Sequence, residues 1–387
     1  MQNAINQFFK ELGEVAEVAT ASAYCQARQK LDPEIYKELS KMVVDDFYEL
    51  YEDDEIKLWK GKRVLAIDGS CINLPNTDDT RECFSITGTR FEKPESDKPV
   101  QGLCSVLYDV LNGLVITSEL GKKKNESFFI YNNHINYLGK NDIVCLDRGY
   151  ASYQLLATFI SKGIDTVIRF PMKNTFKKVE DFINSDDVDQ IIELEVPVHR
   201  KKLIAELDLP CKIEVRFVKI KLPGGGLEIL GTTLLDKKET TLEELGELYF
   251  LRWIEECYFD NLKNIFEIER FSGDNIIIIY QDFYGMIFLS NLESVLTKEA
   301  NAELEEDSTD KKYTYKVNQS VGYSTLIDYV SELFFSGIRS LEAILSEMKI
   351  LFKTKTVSIR PGRRYPRKSL TPHQRYKYEK YRKRDIA

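Results

Sequence analysis

Tyr249-Phe-Leu-Arg252-Trp-Ile-Glu-Glu256-Cys-Tyr-Phe-Asp-Asn-Leu-Lys263 is the stretch from which the rest of the chain is read. Steps of three, four and seven residues put Tyr249, Arg252, Glu256 and Lys263 on one face of a helix that turns about 100° per residue. That face carries an acid flanked by two cations and a phenol. Acid–base pairs at this spacing often do no more than line a solvated surface. The alternative is chemical: the carboxylate ligates a metal ion while the cations bind the oxygens of a nucleic-acid phosphate. Glu255 lies about 100° round the same helix, so the register selects Glu256.

Working outward, residues 63–68 (Arg-Val-Leu-Ala-Ile-Asp) read as a short apolar strand running into an Asp-Gly turn. Residues 100–119 read as two strands joined at Asn112-Gly113, a hairpin signal. Residues 126–138 look helical, and 142–147 form another apolar strand ending in Asp147. A helix over 152–162 and a strand over 165–170 follow, giving an α/β order. Between 172 and 240 alternating runs with Pro210 and Pro223-Gly-Gly-Gly226 as turns predict a mostly-β insertion of antiparallel strands. Residues 242–264 return to helix and carry the opening motif. Two apolar helices are expected near 276–298 and 322–350. Residues 1–58 read as amphipathic helices, either a DNA-end-binding unit or a packing collar.

The chain has 387 residues, enough to bury a substantial core. Seven scattered cysteines with no Cys-x-x-Cys pair, and only three histidines, exclude a zinc site by spacing and fit reduced core thiols. The N-terminus has no secretory pattern. The most apolar run, 276–292, is interrupted by Gln281 and Asp282 and is short for a membrane span. Net charge is −8, but thirteen Lys/Arg against two acids lie from Lys353 onward, leaving 41 bases and 60 acids before it. An acidic body with a basic tail favours a polyanionic partner. A solubilising tail is the plainer alternative; the tyrosines at 365, 376, 378 and 381 tilt the balance toward nucleic acid.

Asp68 and Asp147 each close a predicted strand. Either alone would usually be a turn former or a helix cap. With Glu256 they make three carboxylates able to hold two divalent cations. Hard, small cations suit such oxygen ligands. The flanks are Leu65-Ala-Ile-Asp68-Gly69-Ser70 with Leu74-Pro75 beyond, and Leu146-Asp147-Arg148-Gly149-Tyr150 with Ser152 beyond. Together with the Tyr/Arg/Glu/Lys run, these three segments resemble, in order, the motifs of the DDE transposases of insertion-sequence family four. The likeness is detailed over about residues 60–270.

That resemblance implies a ribonuclease H-like mixed sheet with helices, interrupted by the β insertion, with a helical N-terminal region and a basic C-terminal tail. Its expected divisions are 1–58; a catalytic domain from 59–171 and 241–300; the insertion at 172–240; a helical region at 301–352; and the tail at 353–387. Asp68, Asp147 and Glu256 would be catalytic and hold two Mg²⁺, with Mn²⁺ able to substitute. Tyr249, Arg252, Lys263 and Arg148 would contact DNA. The activity implied is cutting of double-stranded DNA at the element's terminal inverted repeats, then joining of the 3′-hydroxyl ends to target DNA. The chain would act as a homodimer on DNA, off the membrane, in a bacterial cytoplasm. A catalytically silent DNA-binding relative and a nuclease without strand transfer are the other readings. Relatives with a β insertion can use one of its aromatics to trap a flipped base. This insertion has no Trp, which leaves Phe176, Phe182 or Phe217; Trp253 and Phe259 are expected in the core.

Overall fold

The computed structural model describes residues 1–11, 18–51, 55–86, 98–122, 127–222, 225–335 and 339–360. Three helices come first: α1 (Gln2–Glu11), α2 (Ala21–Arg28) and α3 (Glu34–Leu50). Strand β1 (Arg63–Leu74) follows, then a short α4 (Asp78–Cys83) and β2 (Ser85–Ile86). The hairpin β3 (Val100–Asp109) and β4 (Leu114–Lys122) turns at Asn112-Gly113, where Gly113 adopts φ +76°. That left-handed conformation is why glycine is needed there. Next come α5 (Ser127–Asn132), β5 (Asp142–Leu146), α6 (Tyr153–Lys162) and β6 (Asp165–Phe170).

β1 pairs antiparallel with β3 on one side and parallel with β5 on the other, and β5 pairs parallel with β6. A first strand flanked by an antiparallel hairpin and by two parallel crossover strands makes a ribonuclease H-like sheet. The expected α/β class is therefore the observed one.

The segment after β6 holds α7 (Lys177–Asn184), β7 (Asp189–Glu195), α8 (Lys201–Glu206), β8 (Lys212–Lys221) and β9 (Leu227–Thr232). These strands do not form a sheet of their own. β9 pairs antiparallel with β6, so the order runs β2-β3-β1-β5-β6-β9-β8-β7 with β4 also on β3. Every ladder of this stretch is antiparallel, because its strands are joined by returns rather than by crossovers.

Helices α9 (Leu242–Phe250), α10 (Trp253–Asn264) and α11 (Ile276–Glu306) then cover one sheet face. Thr241 and Glu244 form a reciprocal capping box that starts α9. α11 is a single 31-residue helix, longer than the apolar run suggests. No helix among the described residues is long and apolar enough to cross a membrane.

Beyond α11 the structure corrects the expected single helix over 322–350. The chain makes β10 (Thr314–Val317), α12 (Gln319–Phe335), α13 (Leu341–Phe352) and β11 (Thr356–Ile359). Ser340 caps the amide of Ala343, starting a separate helix. β10 and β11 form an antiparallel ribbon, so residues 356–359 of the expected tail are a strand. Residues 361–387, with most of the basic run, lie outside the described residues. The helix expected over 126–138 likewise divides, into α5 and a 3₁₀ turn at His134–Tyr137.

Period-two alternation sorts the sheet residues into two cores. Leu65, Ile67, Val144, Leu146 and Ile168 face α6 and its neighbours. Val64, Ala66, Ile72, Ile143, Cys145, Val167 and Leu230 face α9, α10 and α11. This parity decides where the charged residues of the same strands point.

Candidate active site

β1 runs to Leu74, so Asp68 stands inside a strand and not at its end as the sequence suggested. Pairing with β3 carries the strand past the Asp-Gly step. β5, however, stops at Leu146, paired with Ile67. The next residues on the two strands are Asp68 and Asp147, side by side where the parallel ladder ends. Asp68 shares parity with Val64 and Ala66, and Asp147 with Ile143 and Cys145. Both aspartates therefore belong to the face roofed by α9 and α10.

The Tyr/Arg/Glu/Lys run is not one straight helix. α9 ends at Phe250 and α10 begins at Trp253. Leu251 and Arg252 keep right-handed helical dihedrals, but the amides of Arg252, Ile254 and Glu255 bond three residues back. This tight turn winds further per residue than an α-helix. It rotates α10 about its axis relative to α9, so the even face expected from 3.6-residue periodicity is offset.

The offset brings Arg252 into the site. Its side chain is 3% exposed, with one guanidinium nitrogen 2.9 Å from Glu256 Oε1 and another 3.7 Å from Asp68 Oδ2. Arg252 thus ties two of the three expected acids together. Tyr249 is buried below it, with the guanidinium 5.6 Å from the ring centroid. Burial raises the phenol's pKa, and the charges of Arg252 and Arg169 offset part of that rise. Arg169 is the second cation of the cluster, 2.7 Å from Asp147 Oδ1 and 2.9 Å from Glu228 Oε1.

Glu255 is fully buried, beside the backbone and the carboxylate of Asp68. Burial raises its pKa well above the ordinary carboxyl value, the charge of Asp68 adds to the rise, and Arg252 opposes it. The neutral acid is the favoured form. Glu256, by contrast, has a side chain 24% exposed. Lys263, one helix turn and more along α10, donates to Ser70 Oγ at 2.7 Å and to the Cys71 carbonyl at 2.9 Å. It therefore sits two residues along β1 from Asp68. Arg148 is exposed on the 3₁₀ turn that follows Asp147.

The structure thus gathers Asp68, Asp147, Glu256, Tyr249 and Arg252, with Lys263 and Arg148 at the margins. Tyr249 and Arg252, expected to touch DNA, are buried among the acids in this conformation. Trp253 is 42% exposed, against the expectation of a core residue, because the tight turn swings it outward beside Phe250 (66%) and Ile254 (39%). Phe259 is in the core as expected. Phe182 and Phe217 are buried in the core at 2% and 0% exposure. Phe176 is half-buried against Tyr153 and Phe170. Arg169 and Glu228 were not singled out by spacing. Their parity with Val167 and Leu230, once the ladders are known, would have placed them on this face.

No group of three or more His, Cys, Asp or Glu among the described residues is drawn together as a ready metal site. Each acid instead leans on a guanidinium. The donors nonetheless suit a hard divalent cation, being three carboxylates with side chains 23%, 31% and 24% exposed. Asp68, Asp147 and Glu256 would hold it.

The transposase DDE domain family profile matches residues 59–292, a segment containing every residue of the cluster. The chain belongs to that family. It is 23% identical to transposase InsG for insertion sequence element IS4 of Escherichia coli (strain K12). That match spans 274 residues, 70% of this chain and 60% of the relative. The chain thus matches less than two thirds of that transposase's length. The relative's element is the one whose group the motifs resemble. A piggyBac transposase, solved in a synaptic complex with hairpin DNA, aligns over 84% of this chain and 64% of its own. The TM-score is 0.42 at 9% identity, below the level at which a common fold follows.

Proposed function

We propose that this transposase-family chain cuts double-stranded DNA at the ends of a mobile element and joins the freed 3′-hydroxyls to target DNA. The observation that carries the proposal is that Asp68 and Asp147 directly follow Ile67 and Leu146, the last paired residues of β1 and β5, while Arg252 links Asp68 to Glu256. Two acids set just beyond the end of a parallel ladder and a third delivered by a helix suit in-line phosphoryl transfer.

Bound Mg²⁺, or Mn²⁺ in its place, would activate the attacking oxygen and stabilise the leaving one. Asp68, Asp147 and Glu256 would hold it. Arg252 and Arg169 keep the acids neutralised and ordered until then. Lys263, held by Ser70 and Cys71 along β1, would meet a phosphate beside the cut, and Arg148 would meet one on the Asp147 side. The exposed Phe250, Trp253 and Ile254 give an apolar rim on which unstacked bases could rest. The N-terminal helices serve as a collar, since Arg28 of α2 is fixed to Asp282 and Gln281 of α11. Pairing two element ends requires two active sites, hence a dimer on DNA, and bacterial chromosomal DNA as substrate places the reaction in the cytoplasm.

The test is incubation of the full chain and Mg²⁺ with DNA carrying the gene's own flanks and a target plasmid. Cut flanks and joined plasmid products support the proposal. Cut flanks with no joining would reduce it to a nuclease, and binding with no cutting would reduce it to a silent DNA-binding relative.

A further inference from the structure

Arg169 and Glu228 form a charged pair on the active-site face that none of the motifs contains. Arg169 spans two carboxylates: one terminal nitrogen lies 2.7 Å from Asp147 Oδ1, and the other donates to Glu228 Oε1 at 2.9 Å. Its remaining donor, Nε, is buried without an acceptor. The three side chains are 24%, 31% and 15% exposed. Glu228 comes from β9, two residues before Leu230, which pairs with Arg169 itself. The β-rich stretch that follows β6 therefore reaches the site through Glu228.

We propose that Glu228 is a positioning residue for Asp147: it shares the Arg169 guanidinium, so that Asp147 can be given up to a divalent cation. This rests on the functional reading above. A guanidinium and a metal ion compete for the negative charge of the same carboxylate. Cation charge arriving at Asp147 repels Arg169, and Glu228 is already within hydrogen-bond distance to keep it. The Arg252 bracket differs, because both of its acids, Asp68 and Glu256, belong to the proposed ligand set. Of these two arginines, Arg169 is the one with a carboxylate partner outside that set. Without Glu228, Arg169 would have Asp147 as its one carboxylate and would hold it more firmly.

The experiment is a Mn²⁺ titration of the full chain without DNA, read by loss of the free-ion signal in electron paramagnetic resonance. Glu228→Gln is expected to bind Mn²⁺ about fivefold more weakly than wild type, as for loss of a partly exposed ion-pair partner. Arg169→Gln is expected to bind at least as tightly as wild type, and adding Glu228→Gln to it should change nothing further. Glu228→Asp keeps the charge and is expected to bind within about twofold of wild type. Equal binding by wild type and Glu228→Gln would overturn the proposal while leaving the metal reading intact. A fivefold loss that persists in the Arg169→Gln background would also overturn it, because Glu228 would then act without Arg169. Should wild type bind no better than Asp147→Asn, the metal reading fails and the proposal falls with it. Thermal unfolding of each variant identifies any that fails to fold, in which case Glu228→Asp and the double variant carry the comparison.

Discussion

Glu255 and Glu256 are neighbours in the chain and sit in opposite environments: Glu255 is fully buried beside Asp68, whereas Glu256 is partly exposed and ion-paired to Arg252 at 2.9 Å. The tight turn at Leu251–Arg252 produces the contrast by setting the roll of α10. A carboxyl buried this deeply beside another acid persists as the neutral acid, since ionising it there would be expensive. Glu256, partly exposed and held by Arg252, keeps its charge partner at the surface of the site.

Replacing Glu255 therefore probes packing and not chemistry. Glu255→Gln, close in shape to the protonated acid, is expected to change stability by less than about 1 kcal/mol. Glu255→Ala leaves a void beside Arg252 and is expected to destabilise by roughly 2–3 kcal/mol. Denaturant unfolding of both variants decides it; a Gln variant as damaged as the Ala variant would mean that Glu255 is charged.

Glu293 on α11 supplies a pH dependence. Burial pushes its pKa up to about 8, with the Lys316 charge and Gln319 pulling it part of the way back. The folded chain holds this proton where the unfolded chain has lost it. The stabilisation is thus complete below the ordinary carboxyl pKa and is lost as pH rises through about 8. Between pH 5 and 8 wild type should lose on the order of a few kcal/mol relative to Glu293→Gln, which cannot titrate. Thermal melts of the pair across that range test it, and parallel curves would count against it.

Lys263 is expected to act on DNA through charge. Lys263→Ala should weaken DNA binding across sequences and lower the slope of log affinity against log salt by about 0.9, as for one phosphate contact. Filter binding at several salt concentrations reads both. An unchanged slope would mean that Lys263 serves only to brace Ser70 and Cys71.

Gly231 of β9 lies where a Cβ would come within 2.7 Å of the Phe170 ring and 3.0 Å of the Phe217 ring. Both rings are buried and packed edge to face. Gly231→Ala is expected to destabilise by roughly 1–3 kcal/mol through overpacking. Calorimetry on the variant tests this, and a wild-type melting temperature would show that the rings yield freely.

Much of this architecture is legible in the sequence. The strand before Asp68, the Asn112-Gly113 hairpin and the strand before Asp147 read directly from apolar runs and turn residues, because these elements are local. The spacing of Tyr249, Arg252, Glu256 and Lys263 marks a candidate site whether or not the helix is straight. What was not legible depends on partners far along the chain. The length of β1 is decided by β3, the joining of β9 to β6 by long-range pairing, and the outward swing of Trp253 by a three-residue hydrogen-bond shift. Arg169 and Glu228 sit 59 residues apart and meet only because β6 and β9 are neighbours. No local pattern announces that.

The most direct measurement compares Mg²⁺-dependent cleavage of DNA carrying the gene's own flanks by wild type, Glu256→Gln and Glu255→Gln, with DNA binding measured alongside. The account predicts cutting at the flank boundaries by wild type and Glu255→Gln, and binding without cutting by Glu256→Gln. Cutting by Glu256→Gln at the wild-type rate would contradict it.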